Sequence, residues 1–164
     1  SATYLPSIEK GVKDIMSRGV VAGYPVVDVK VVVYDGKEHA VDSKDVAFQK
    51  AGRGAFKKCI AGARPVMLEP IVKIEVNVPN DNVGDVTADL ASTRRGQITG
   101  TKYEGQFATI TAHVPLASVS EYDAQLRSMT AGEGSYTLEA SHYGLVPGNV
   151  QQELAAQFTS DDED

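Results

Sequence analysis

The chain has no tryptophan, a single cysteine and three histidines among its 164 residues. One cysteine, Cys59, excludes an internal disulfide framework and a cysteine-based metal cluster. It also fits a reducing, cytoplasmic compartment. Cys59 falls on a helical apolar stripe beside Phe56 and Ile60 and is expected to be buried as a small hydrophobe. His39, His113 and His142 show no metal-ligand spacing. No stretch approaches the roughly 18 consecutive apolar residues of a membrane span. The start, Ser1-Ala2-Thr3-Tyr4, has neither the basic nor the apolar region of a signal peptide. Neither G-x-x-x-x-G-K-[ST] nor G-x-G-x-x-G occurs, so no loop is built to cradle a nucleotide phosphate. Thr130-Ala131-Gly132-Glu133-Gly134 is glycine-bearing but joins a helix to a strand, and reads as a turn. Serine, histidine and acidic residues are present, but no spacing gathers them, so no catalytic residue and no metal ligand is identified.

What is present describes a soluble globular protein of one medium domain or two small ones. The net charge of −6 is unevenly spread. Residues 1–62 hold ten Lys/Arg against seven Asp/Glu, +3, whereas residues 63–164 hold six against fifteen, −9. A basic first segment can approach polyanions, and in the acidic second segment any cluster of cations stands out.

The clearest pattern runs from residue 64 to residue 143. Val72, Ile74, Val76 and Val78 alternate with Lys73, Glu75 and Asn77, a half-buried strand. A helix follows, with Asn82 as N-cap and Val83, Val86, Thr87 and Leu90 on one face. Arg94-Arg95-Gly96 stops it, cations near the negative helix end and glycine just beyond. Gln97–Lys102 and Gln106–Val114 read as strands joined through Tyr103-Glu104-Gly105. A second helix carries Leu116, Val119, Tyr122, Leu126 and Met129. A last strand, Ser135–Tyr143, buries either Tyr136, Leu138 and Ala140 or their alternates. The order β-α-β-β-α-β predicts an α+β, ferredoxin-like fold with both helices on one face of an antiparallel sheet.

Residues 5–61 read helix–strand–helix. Leu5, Ile8, Val12, Ile15 and Met16 share one helical face, with Pro6 in the first turn and Gly19 after the last. Val27, Val29, Val31 and Val33 alternate as a strand, and Asp35-Gly36 marks a turn. The next helix is expected to be capped by Asp42 or Ser43 and to close at Gly62. A lone strand cannot satisfy its own edges, so this segment reads as part of a larger domain. After Val146-Pro147-Gly148, a final helix with Val150, Leu154, Ala155 and Phe158 needs a surface to cover, and the first segment is the candidate.

Several of these stretches together resemble a known family. Ala22-Gly23-Tyr24-Pro25-Val26-Val27-Asp28, His39-x-Val41-Asp42-Ser43 and Ala47-Phe48 resemble the later part of domain IV of bacterial elongation factor G. Arg64-Pro65-Val66-Met67-Leu68-Glu69-Pro70-Ile71, Gly84-Asp85-Val86, Arg94-Arg95-Gly96, Gln125-Leu126-Arg127-Ser128-Met129-Thr130 and Tyr136-Thr137-Leu138-Glu139 resemble domain V. The resemblance implies a C-terminal fragment. Residues 1–62 plus 146–164 form a partial domain IV, an α/β sandwich that is ribosomal-protein-S5-domain-2-like, and residues 63–145 form the ferredoxin-like domain V.

The family is a translational GTPase that moves tRNA and mRNA through the ribosome. GTP and Mg²⁺ belong to an N-terminal domain outside this sequence, so no cofactor and no catalysis are expected here. The implied partners are ribosomal RNA, ribosomal proteins and the tRNA–mRNA of the decoding region, met as a monomer in the cytoplasm without a membrane. A paralogue acting in ribosome recycling or drug protection, or an unrelated ferredoxin-like binding module, are the alternatives. The matching loop histidine, His39, lies beside Lys37 and implies a contact near tRNA. Arg94 and Arg95 imply contact with RNA phosphate, to which guanidinium forks are suited. They are expected to do so without supporting the core. Arg127 fits either RNA contact or a buried pair with an acid.

Overall fold

The computed structural model of the chain describes residues 2–39 and 44–158 and separates into two units. One is built from the described residues up to Val66 together with those from Pro147 on, and the other is Met67–Val146.

In the second unit the predicted strand becomes β1, Leu68–Pro79. It lies inside an antiparallel sheet of order β2-β3-β1-β4, with β2 at Gln97–Glu104, β3 at Phe107–Pro115 and β4 at Ser135–Leu145. Val72, Ile74, Val76 and Val78 point to one face and are buried with Ile110, Ala112 and Val114 of β3. That face is covered by α3, Val83–Ala88, with the turn after it and by α4, Tyr122–Met129, with the turn before it, through Val86, Leu90, Val119, Tyr122 and Leu126. Each fully buried aliphatic side chain contributes about 1.5–3 kcal/mol, so this continuous cluster holds the unit together. The α+β class and the ferredoxin-like order of elements are as the sequence predicts.

Local details depart from expectation for identifiable reasons. Asn82 stands before α3 but does not cap it: its Nδ2 donates to the Met129 carbonyl at 2.9 Å, tying the start of α3 to the end of α4. The helix runs on from Ala88 into a wide turn, Asp89–Thr93. The left-handed residue that ends it is Arg95, φ 55°, rather than the glycine. Gly96 is needed for closeness instead, since a Cβ there would lie 2.6 Å from the Leu90 carbonyl oxygen. The expected second helix divides into a tight turn, Leu116–Val119, and α4. Ser120 Oγ bonds the Ala117 carbonyl between them, the side-chain competition that disfavours serine inside helices. In β4, Tyr136, Leu138 and Ala140 oppose Val76, Ile74 and Val72, which settles the face. Tyr136 packs against the core, while Leu138 remains exposed because β4 is an edge strand.

In the first unit, α1 (Leu5–Arg18) and α2 (Asp45–Gly62) pack together around Val12, Ile15, Phe56 and Ile60. Ser7 Oγ donates to Asp45 Oδ1 at 2.8 Å, and the rings of Tyr4 and Phe48 stack at 4.2 Å. The α5 helix, Gly148–Gln157, belongs to this unit, and the Phe158 ring lies against Gly23.

Two expectations fail here. Val27–Val33 runs without any β ladder among the described residues, and Val27, Val29, Val31 and Val33 are exposed. Alternation alone cannot make a strand when no neighbour supplies the opposing N–H and C=O groups. Cys59 is exposed, because the buried positions of α2 are Gly52, Phe56 and Ile60, a four-residue stride that passes beside it. Lys44 occupies the N-cap position of α2, and the proposed caps Asp42 and Ser43 lie outside the described residues. The helix closes at Gly62 as expected, and the chain turns at Arg64, φ 55°.

Candidate functional site

Arg94 and Arg95 sit together where α3 and its wide turn end and β2 begins, yet their side chains do different things. Arg94 Nε donates to Asp89 Oδ2 at 2.7 Å and its Nη1 to the Ser118 carbonyl at 2.6 Å. Its guanidinium lies 4.5 Å over the ring of Tyr122. Both members of the Arg94–Asp89 pair are largely buried, 14% and 11% exposed. The expectation that Arg94 leaves the core untouched therefore fails: it clasps α3's end, the turn before α4 and the largest fully buried side chain. Burial foremost, then the Asp89 carboxylate, push the Tyr122 phenol well above the ordinary tyrosine range, so it stays neutral.

Arg95 forms a two-pronged pair with Glu69, Nη1 to Oε1 at 2.9 Å and Nη2 to Oε2 at 2.7 Å, from a more exposed position. Arg127, on α4, is 67% exposed and meets Asp123 one turn back at 3.1 Å, a surface pair rather than a buried one. The shallow depression beside Arg94 is lined by Ser118, Ser120, Glu121, Asp123, Ala124 and Gln125, so its rim is acidic. In the first unit, Lys37 and His39 lie exposed in the segment after Val33, which is neither helix nor strand. The fold thus ranks the cations by availability. Exposed pairs such as Arg127–Asp123 are worth little and exchange readily with another anion, whereas Arg94 is committed to the interior.

Among the described residues, no group of three or more His, Cys, Asp or Glu is placed to hold a metal, and no helix is long and apolar enough to cross a membrane. No spacing or motif hinted that His113 and His142, distant in the chain, would meet: β3 and β4 flank β1 and bring the rings to 5.7 Å.

These features define an α+β protein in which a ferredoxin-like unit follows a helical one. Residues 1–64 match the family described as elongation factor G, domain IV, and residues 66–154 match elongation factor G C-terminus. The chain belongs to the elongation factor G family, and its residues correspond to domain IV and the C-terminal domain. It is 49% identical over 154 residues to elongation factor G of Aquifex pyrophilus, covering 94% of this chain and 22% of that protein. A crystal structure from Thermus thermophilus superposes with a TM-score of 0.75 at 47% identity, over 95% of this chain and 24% of that one. The chain thus spans under a quarter of the length of these relatives. An unrelated ferredoxin-like module is set aside by these matches.

Proposed function

We propose that this chain is the ribosome-binding C-terminal part of a cytoplasmic translation factor that promotes movement of tRNA and mRNA. The observation that carries the reading is the succession of two elongation factor G family matches over nearly the whole chain. In this reading GTP binding and hydrolysis, with Mg²⁺, belong to a domain outside these residues, and the chain itself catalyses nothing. Its contribution is shape and charge: exposed Lys37, His39 and Arg127 meet phosphate or base, and Arg95 can exchange Glu69 for an RNA phosphate. Arg94 positions Arg95 by fixing the end of α3.

Phosphate contact releases condensed counterions, so each cation involved adds to the salt dependence of binding. Sedimentation of the chain with bacterial ribosomes over a salt series should show binding that weakens as salt rises. Replacing Lys37, His39 and Arg127 by alanine should lower affinity and flatten the slope while leaving the melting temperature within a few degrees, as surface changes usually do. Full affinity and an unchanged slope in that variant would remove these residues from the contact. Calorimetry should detect no saturable GTP binding; micromolar binding would overturn the assignment of nucleotide chemistry to other domains.

A further inference from the structure

We propose that His113 and His142 form a binding site for a divalent transition-metal ion of the zinc class, on the sheet face opposite α3 and α4. Tyr136, Leu138 and Ala140 keep step with the buried residues of β1. Continued without interruption, that register would put His142 on the helix-covered face with them. An irregularity between Ile71 and Val72 inserts Ser141, and His142 pairs with Ile71 instead. The bulge therefore re-aims one imidazole to the face that carries His113, the partner of Lys73 on β1. The rings reach towards each other across β1, 5.7 Å between centroids and inclined at 69°.

The surroundings suit a cation. His142 Nδ1 is 2.9 Å from Ser141 Oγ. The tautomer that donates Nδ1–H to that hydroxyl leaves the Nε2 lone pair for a metal, the orientation that outer hydrogen bonds impose on ligating histidines. Lys73, which faces His113 from β1, is drawn to Glu75 at 2.7 Å and stands opposite Glu139 of β4. Two carboxylates thus outweigh one ammonium on this patch, and Gln97 of β2 stands opposite His113. Imidazole nitrogen is a good ligand for Zn²⁺ and Ni²⁺ and a poor one for Mg²⁺ or Ca²⁺. Two imidazoles leave coordination positions to water or to a donor from a bound partner, so the ion links rather than merely staples.

The test is titration of the full chain with ZnCl₂ and NiCl₂, followed by calorimetry and by histidine side-chain NMR. One ion should bind at neutral pH, and the His113 and His142 ring signals should shift together. His113→Ala and His142→Ala should each abolish that shift, and Ser141→Ala should weaken binding by roughly tenfold, as loss of an outer hydrogen bond does. His142 is exposed, so its variant should fold; circular dichroism checks this for both. Absence of binding at millimolar metal overturns the proposal. So does binding that survives both histidine substitutions and is lost in Cys59→Ser.

Discussion

Arg94 and Arg95 carry the same charged group on consecutive residues, and the backbone decides their roles. Arg94 is turned inward against Asp89, Ser118 and Tyr122, so Arg94→Ala leaves a buried carboxylate and a carbonyl without their donor. Breaking such a pair costs about 3 kcal/mol, and chemical denaturation should show it as a lowered midpoint at unchanged slope. Arg95 holds Glu69 from a left-handed backbone position. Arg95→Ala loses the half-exposed pair and keeps the strain, whereas Arg95→Gly loses the pair and relieves the strain. Arg95→Gly should therefore stay within about 0.5 kcal/mol of the parent and exceed Arg95→Ala in stability. Equal losses in both variants would show that φ at this position costs nothing. The pair of arginines was legible in the sequence as a helix end, but which one faces inward was not. Asp89 and Ser118 lie on separate elements, and only the packed fold brings them to one guanidinium.

At the scale of elements, period-3.6 and period-2 patterns succeeded where both sides of the element find a partner. The alternation Val72–Val78 became a central strand because β3 and β4 flank it. The equally regular Val27–Val33 found no flanking strand among the described residues and stayed unpaired. Pattern records which face wants burial, and says nothing of what is available to cover it. The α1–α2 crossing shows a second illegible feature. A Cβ on Gly11 would sit 2.1 Å from the Gln49 carbonyl oxygen, and one on Gly52 would sit 2.8 Å from that of Ile8. These glycines read as weak points of helices, yet they let two backbones touch. Gly11→Ala must push the helices apart and should cost about 3 kcal/mol or more, at the upper end of overpacking. Gly54, in the same α2 helix, faces open space. Gly54→Ala should instead stabilise by about 0.5–1 kcal/mol through helix propensity. Thermal melts of the two variants, followed by far-ultraviolet circular dichroism, should move in opposite directions. A parallel shift would mean that the crossing is looser than its geometry indicates.

For the whole molecule, the division into two units was approached from the sequence through Gly62 and the Arg64-Pro65 lead-in, and the structure places it after Val66 and after Val146. The difference of a few residues arises because β1 starts at Leu68, opposite Leu145, and the Val146 N–H donates to the Met67 carbonyl at 3.0 Å. That bond closes the second unit by joining its first and last residues. Residues 67–146 thus hold every strand of the sheet and both covering helices, together with the whole buried cluster around Ile74 and Ile110. Every member of that cluster lies between Met67 and Val146, so the excised segment should melt cooperatively by itself. Its midpoint should lie within several degrees of one transition of the full chain, since 1 kcal/mol shifts a domain of this size by about 4–8 °C. The complementary first unit exposes Val27, Val29, Val31, Val33 and Tyr34 along a backbone with no ladder among the described residues. Expressed alone it should bind a hydrophobic dye and exchange the amide protons of residues 27–34 within seconds, whereas those of β1 in the second unit should persist far longer. A gradual, non-cooperative loss of structure from residues 67–146 would show instead that the sheet depends on contacts beyond its own core.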